Sequence, residues 1–136
     1  MGADPIRPGS VVWFCHLAAE KVRKWRRAVV VGDCSIAGQQ MIWIVYGTKD
    51  PLGDPKKCVT IEQNTAAHTM MALTEPKTFF YGRETYLVHS GDLVSVKGSK
   101  WCPTEKLAEL VALARSNVIG RKVLARQKGE CGPSPS

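Results

Sequence analysis

The sequence predicts a small, mainly β domain closed by one C-terminal helix, and three observations lead there. Short apolar runs recur between turn-forming residues, one late segment carries helical periodicity, and 136 residues with 44% hydrophobic content suffice for one buried core and little more. Residues 1–8 form a leading arm that ends at Pro8-Gly9, residues 9–120 the folded domain, and residues 121–136 a basic tail turning rich in Gly, Pro and Ser, with disorder expected at its end.

Residues 10–14 are β-branched and aromatic and read as the first strand. A charged stretch follows, expected as a loop. Ala28-Val29-Val30-Val31, closed by Gly32-Asp33, reads as the second strand, and residues 41–46, closed by Gly47, as the third. Two prolines, a glycine and two aspartates between Lys49 and Lys57 predict a surface loop, and a shorter strand is expected over residues 58–62. Residues 65–73 suit a short helix or an irregular cover over one end of the sheet. Residues 78–81, 85–88 and 92–97 again read as strands, so the set fits a small barrel or sandwich. Leu107, Leu110, Val111, Ala114 and Val118 repeat at helical spacing and form one apolar stripe, with Pro103 at the start, Glu105 and Arg115 matched to the helix dipole, and Gly120 as the stop.

The formal charge of +7 makes an anionic partner plausible, because clustered cations attract phosphate and gain from counterion release. Lys21, Arg23, Lys24, Arg26 and Arg27 place five cations within seven residues around Trp25, a pattern that suits a phosphate-binding loop and equally a solvated charged turn. The five cysteines, Cys15, Cys34, Cys58, Cys102 and Cys131, are odd in number and widely spaced, which fits a reducing compartment, and no metal-ligand spacing occurs. No apolar stretch is long enough to span a bilayer and the first residues lack the layout of a signal peptide, so a cytoplasmic protein without a membrane association is expected.

The order Gly9-Ser10-Val11-Val12-Trp13-Phe14, basic segment, Arg27 with a valine strand, strand ending in Gly47-Thr48, and late Leu/Ala helix resembles the MazF/PemK toxin family over residues 6–120. The opening matches that family's Gly-Asp-Ile-Val-Trp-like strand apart from serine for aspartate. Arg27-Ala28 keeps the arginine of its Arg-Pro pair but not the proline. Thr48 falls where its catalytic Thr or Ser follows a strand, Arg83 is the retained residue of a later segment, and residues 102–110 resemble the start of its closing helix.

The resemblance implies an SH3-like barrel with a C-terminal helix (MazF/PemK/CcdB-like) and a toxin of a toxin–antitoxin system that cleaves single-stranded RNA without metal or cofactor. The ribose 2′-OH attacks its own phosphodiester to leave a 2′,3′-cyclic phosphate. On this reading Arg27 stabilises charge growing on phosphate and Thr48 holds the phosphate for in-line attack; Thr48 also fits an ordinary strand-end threonine. His16 and Glu20 are candidate proton acceptors, His16 as an imidazole that titrates near neutrality. Lys21, Arg23, Lys24, Trp25, Arg26, Lys49 and Arg83 are candidate RNA-binding residues, with Trp25 as a stacking platform or a shield for one end of the fold. A homodimer and a cognate antitoxin are the implied partners. Two other functions fit the same fold: a non-catalytic nucleic-acid- or protein-binding module, and a gyrase-directed toxin, for which the C-terminal residues 131–136 lack an aromatic anchor.

Overall fold

A computed structural model describes residues 6–17, 23–50, 57–98, 100–116 and 122–123, with no side-chain description at 16, 17, 23, 24, 122 and 123. Strands β1 (Val11–Leu17), β2 (Arg23–Ile36), β3 (Gln39–Thr48), β4 (Cys58–Glu62), β5 (Lys77–His89) and β6 (Leu93–Ser95) form one antiparallel sheet in the order β4-β5-β3-β2-β1-β6. Helix α1 (Ala66–Met70) lies between β4 and β5, and helix α2 (Thr104–Ser116) follows β6. A two-residue strand, β7 (Lys122–Val123), pairs with β5 in parallel.

Alternation along the strands builds an apolar cluster on each face of the sheet. Val12 and Phe14 of β1, Ala28 and Val30 of β2, and Ile42, Ile44 and Tyr46 of β3 join Tyr86, Val88 and Leu93 on one side. Val11, Trp13, Val29, Val45 and Phe80 point the other way and pack with Met71 and Leu73 beside α1 and with Leu110 and Ala114 of α2. Tyr46 belongs to the first cluster, its ring 5.6 Å from that of Phe14 and edge-on to Tyr86 at 5.1 Å, so it is core.

The expected closed barrel is not formed: β4 and β6 end the sheet, and no ladder joins them among the described residues. With only three residues, β6 offers little backbone for pairing. Instead the α1 and α2 side chains occupy that side, and Trp101 N–H donates to the Met70 carbonyl at 3.4 Å.

Three strand boundaries differ from the sequence reading. The expected basic loop is half strand, because Arg23 to Arg27 pair residue for residue with β1, from Leu17↔Arg23 to Trp13↔Arg27. Gly32-Asp33 does not stop β2; a bulge between Val30 and Gly32 absorbs the irregularity, and the strand runs to a two-residue turn at Ala37 and Gly38, whose φ values of 51° and 81° are those a hairpin turn demands. The two strands expected over residues 78–81 and 85–88 are one strand, β5, again with a shift in its pairing to β3, between Val45 and Gly47.

The helical stripe is seated as its spacing predicts: Leu110 and Ala114 are buried, and Leu107 and Val111 half-buried. Val118, Gly120, most of the tail and most of the loop between β3 and β4 lie outside the described residues; of the tail, residues 122–123 are the paired strand β7. Cys15 is disulfide-bonded, which the expectation of a reducing compartment did not anticipate, while Cys34, Cys58 and Cys102 are not in disulfides. No helix among the described residues is long and apolar enough to cross a membrane.

Candidate functional site

The register of β1 against β2 sets Trp13 directly opposite Arg27, with both side chains on the face covered by the helices. The Arg27 guanidinium lies over the Trp13 ring, its Cζ 4.5 Å from the ring centroid. This stack is what an arginine gains from a flat, weakly hydrated head group. Trp25, two residues earlier on the same face, packs against the same core cluster. Beside them, β3 ends in Gly47 and Thr48, which pair with Phe80 and Phe79 of β5. Gly47 is required by space: a Cβ there would lie 2.8 Å from Thr78 Cγ2 and 3.0 Å from two atoms of the Phe80 ring.

These residues line one open cavity of about 380 Å³, whose walls comprise Trp13, Trp25, Arg26, Arg27, Gly47 and Thr48 from the strands, Lys49 and Asp50 just after β3, and Leu73, Thr74, Glu75 and Thr78 from the α1–β5 connection and the start of β5. Of the residues singled out from the sequence, Trp25, Arg27, Thr48 and Lys49 therefore meet in one place, while Arg26, also on the lining, pairs with Phe14 in the strand register and its charge acts on Tyr46 and Tyr86 of the other face. Arg83 does not join them; it sits on β5 with its guanidinium 5.7 Å from the Tyr81 ring centroid. The backbone of His16, Arg23 and Lys24 is strand, but their side chains, together with all of Glu20 and Lys21, lie outside the description.

The cavity carries charge of both signs, from Arg26, Arg27 and Lys49 and from Asp50 and Glu75. Burial pulls the Arg27 pKa below its ordinary value, and the nearby Glu75 carboxylate opposes that shift. Arginine starts so high that it keeps its charge regardless. Three buried donor atoms, Trp13 Nε1, Trp25 Nε1 and Arg27 Nε, have no hydrogen-bond acceptor among the described residues. Buried donors left unpaired are uncommon and costly, and they concentrate where a protein meets a ligand or holds strain. Thr48 Oγ1 accepts the Asp50 N–H at 3.3 Å, an arrangement that leaves its hydroxyl hydrogen available for an outside acceptor.

The sequence reading did not single out Glu75, Asp50, Thr74 or Thr78. The segment carrying Glu75 is held at both ends. Thr65 Oγ1 caps α1 by accepting the His68 N–H at 3.2 Å, and the His68 ring in turn donates from Nε2 to the Glu75 carbonyl at 2.7 Å, a contact that requires the ring proton on Nε2. Leu73 is buried in the core just before it, and Gln63 N–H donates to the Pro76 carbonyl at 2.8 Å just after. No group of three or more His, Cys, Asp or Glu side chains with metal-binding proximity occurs among the described residues. No protein-family model, curated protein or solved structure matches the chain.

Proposed function

We propose that this chain is a metal-independent endoribonuclease of the MazF/PemK toxin type, with that family's SH3-like fold, and that the cavity beneath Arg27 is where single-stranded RNA is cut. The observation that carries the proposal is convergence: Arg27 of β2 and Thr48 at the end of β3 lie on different strands, have complementary roles on one phosphate in the resemblance, and line the same cavity with Trp25 and Lys49. The unpaired donors of Trp13, Trp25 and Arg27 suit a phosphodiester, which offers only acceptors.

In this reaction the ribose 2′-oxygen attacks the adjacent phosphorus, the bond from phosphorus to the 5′-oxygen breaks, and the products carry a 2′,3′-cyclic phosphate and a free 5′-OH. DNA lacks the nucleophile. Negative charge grows on the non-bridging oxygens, and Arg27, half-desolvated and fixed on Trp13, stabilises it more strongly than an exposed cation would. Thr48 donates its hydroxyl to the same group and orients it, while Lys49 and Arg26 hold neighbouring phosphates and Trp25 offers a ring face to a splayed base. A cytoplasmic homodimer restrained by an antitoxin that covers Arg27 completes the proposal.

The test is cleavage of end-labelled single-stranded RNA by the purified chain in EDTA, beside Arg27→Ala. Cyclic-phosphate product ends that appear with the parent chain and fall by about 10²–10³ in rate with the variant support the reading. RNA left intact across varied sequences refutes it, and retained RNA binding in that case assigns the cavity to a non-catalytic module.

A further inference from the structure

The reaction proposed above needs a group to take the 2′-OH proton, and we infer that Glu75, in the connection between α1 and β5, is that general base. The inference rests on the ribonuclease reading and adds to it a catalytic residue that neither the composition nor the resemblance indicates.

Four observations carry it. Glu75 lines the same cavity as Arg27 and Thr48. Its charge acts on the Arg27 guanidinium, yet the two form no ion pair within 4.0 Å, so the carboxylate is near the guanidinium without pairing with it. A base and an oxyanion stabiliser must be placed in this way, since a direct salt bridge would neutralise both and fill the space for the reacting phosphate. The backbone of Glu75 is pinned by the His68 Nε2 hydrogen bond to its carbonyl, which sets the carboxylate's origin before substrate arrives. Finally, its side chain is exposed, so the carboxylate is reachable from solution and can pass a proton back to water.

The proton balance closes with these groups and water. The 2′-OH gives its proton to the Glu75 carboxylate as the bond from the 2′-oxygen to phosphorus forms; the departing 5′-oxygen takes a proton from water; the Glu75 proton returns to solvent. The charged groups around Glu75 on that lining are Arg26, Arg27, Lys49 and Asp50, and the His68 ring lies behind its backbone.

The experiment compares the parent chain with Glu75→Gln, Glu75→Asp and, as an equal change of charge outside the cavity, Glu62→Gln, whose carboxylate pairs with Lys77 at 3.5 Å on the exposed surface. Single-turnover cleavage in EDTA is measured across pH, and binding is measured separately by fluorescence anisotropy with a 2′-O-methyl RNA that cannot react. Glu75→Gln is expected to slow cleavage by about 10²–10⁴ and to remove the acid limb of the pH–rate profile without weakening binding, with Glu75→Asp between the two and Glu62→Gln at the parent rate. The inference is overturned if Glu75→Gln cleaves within about threefold of the parent, keeps the acid limb, or if Asp50→Asn alone shows the loss. A parent chain that cuts no RNA overturns the ribonuclease reading and the inference with it, an outcome distinct from an active parent indifferent to Glu75.

Discussion

Gly47→Ala is expected to destabilise the protein through one identifiable overlap. The new Cβ would stand 2.8 Å from Thr78 Cγ2 and 3.0 Å from Phe80 Cε1 and Cζ. Carbon atoms in ordinary contact lie about 3.5–4.0 Å apart, so the nearest pair overlaps by roughly 0.7 Å. Neither neighbour can step aside freely, because Phe80 is fully buried and paired with Gly47 across the β3–β5 ladder, and Thr78 is buried beside it. Overpacking of this kind costs about 1–3 kcal/mol. Replacing glycine by alanine in a strand returns about 0.5–1 kcal/mol of chain entropy, so the net loss is roughly 0.5–2 kcal/mol. For a domain of this size the melting temperature should fall by about 2–10 °C.

Urea denaturation followed by circular dichroism gives the free energy, and a double-mutant cycle with Thr78→Ser isolates the cause, since serine lacks the Cγ2 that makes the shortest contact. Thr78→Ser is expected to be less harmful in the Gly47→Ala background than alone, with a coupling of at least about 0.5 kcal/mol. Gly38→Ala provides the contrast. At φ +81° with nothing within 4 Å, alanine there strains the backbone without a clash, and Thr78→Ser should not relieve it. Additivity of Gly47→Ala and Thr78→Ser, or a Gly47→Ala variant as stable as the parent, would refute the steric argument and with it the reason this position before Thr48 lacks a side chain.

Two further outcomes follow from the core. Leu110→Ala should cost about 2–5 kcal/mol in the same denaturation assay, because Leu110 is fully buried between α2 and the sheet and no neighbour is free to fill the space; a loss below about 1 kcal/mol would contradict that packing. Stability should also decline from about pH 9 upward: burial raises the Cys102 thiol to about 12, and Tyr46 and Tyr86 are likewise raised, so above the unfolded-state values the native state holds more protons than the unfolded chain and loses stability with each unit of pH. A free energy of unfolding that stays flat between pH 9 and 11 would show that these groups are not buried in their protonated forms.

What the sequence made legible and what it concealed divide along a physical line. Strand β4 and the stripe of α2 are read correctly because each is a local pattern: alternation within five residues, or apolar recurrence along one helix face. Strand β2 is misread because its signals are tertiary. Arg23 to Arg27 look like a charged loop when considered alone, and Gly32-Asp33 looks like a stop, but β2 gains partners on both sides, from β1 and β3, and the ladders outweigh weak local propensity. The β5 interruption around Gly82 is the same error on a strand held by β3 and β4. At the cavity, Arg27 and Thr48 are legible through a short pattern of residue types. Glu75 is not: it arrives from a connection after α1, held beside the cavity by contacts such as the capping of that helix by Thr65 and the His68 bond to its carbonyl.

The way these parts are mounted bears on why an arginine occupies the centre of the cavity. On the proposed reading, a cation placed on a central strand, half-buried and above an indole ring, must remain charged without a permanent counter-ion, since a carboxylate in direct contact would occupy the place of the phosphate. Lysine meets that demand poorly, because desolvation readily strips its proton and its head group cannot lie flat on a ring. Arginine meets it through delocalisation and stacking, and the cross-strand register that sets Trp13 opposite residue 27 supplies the ring at the required position. The residual cost appears as the unpaired Nε of Arg27 and the unpaired indole N–H groups of Trp13 and Trp25. Such a wall is poorly satisfied by protein alone and favours an incoming acceptor, so the energy left unrecovered in folding becomes a preference for anionic ligands at this one place. On the ribonuclease reading proposed above, Glu75 on the same lining without an ion pair to Arg27 would keep the group that draws charge apart from the group that takes the proton, as in-line attack on a phosphodiester requires.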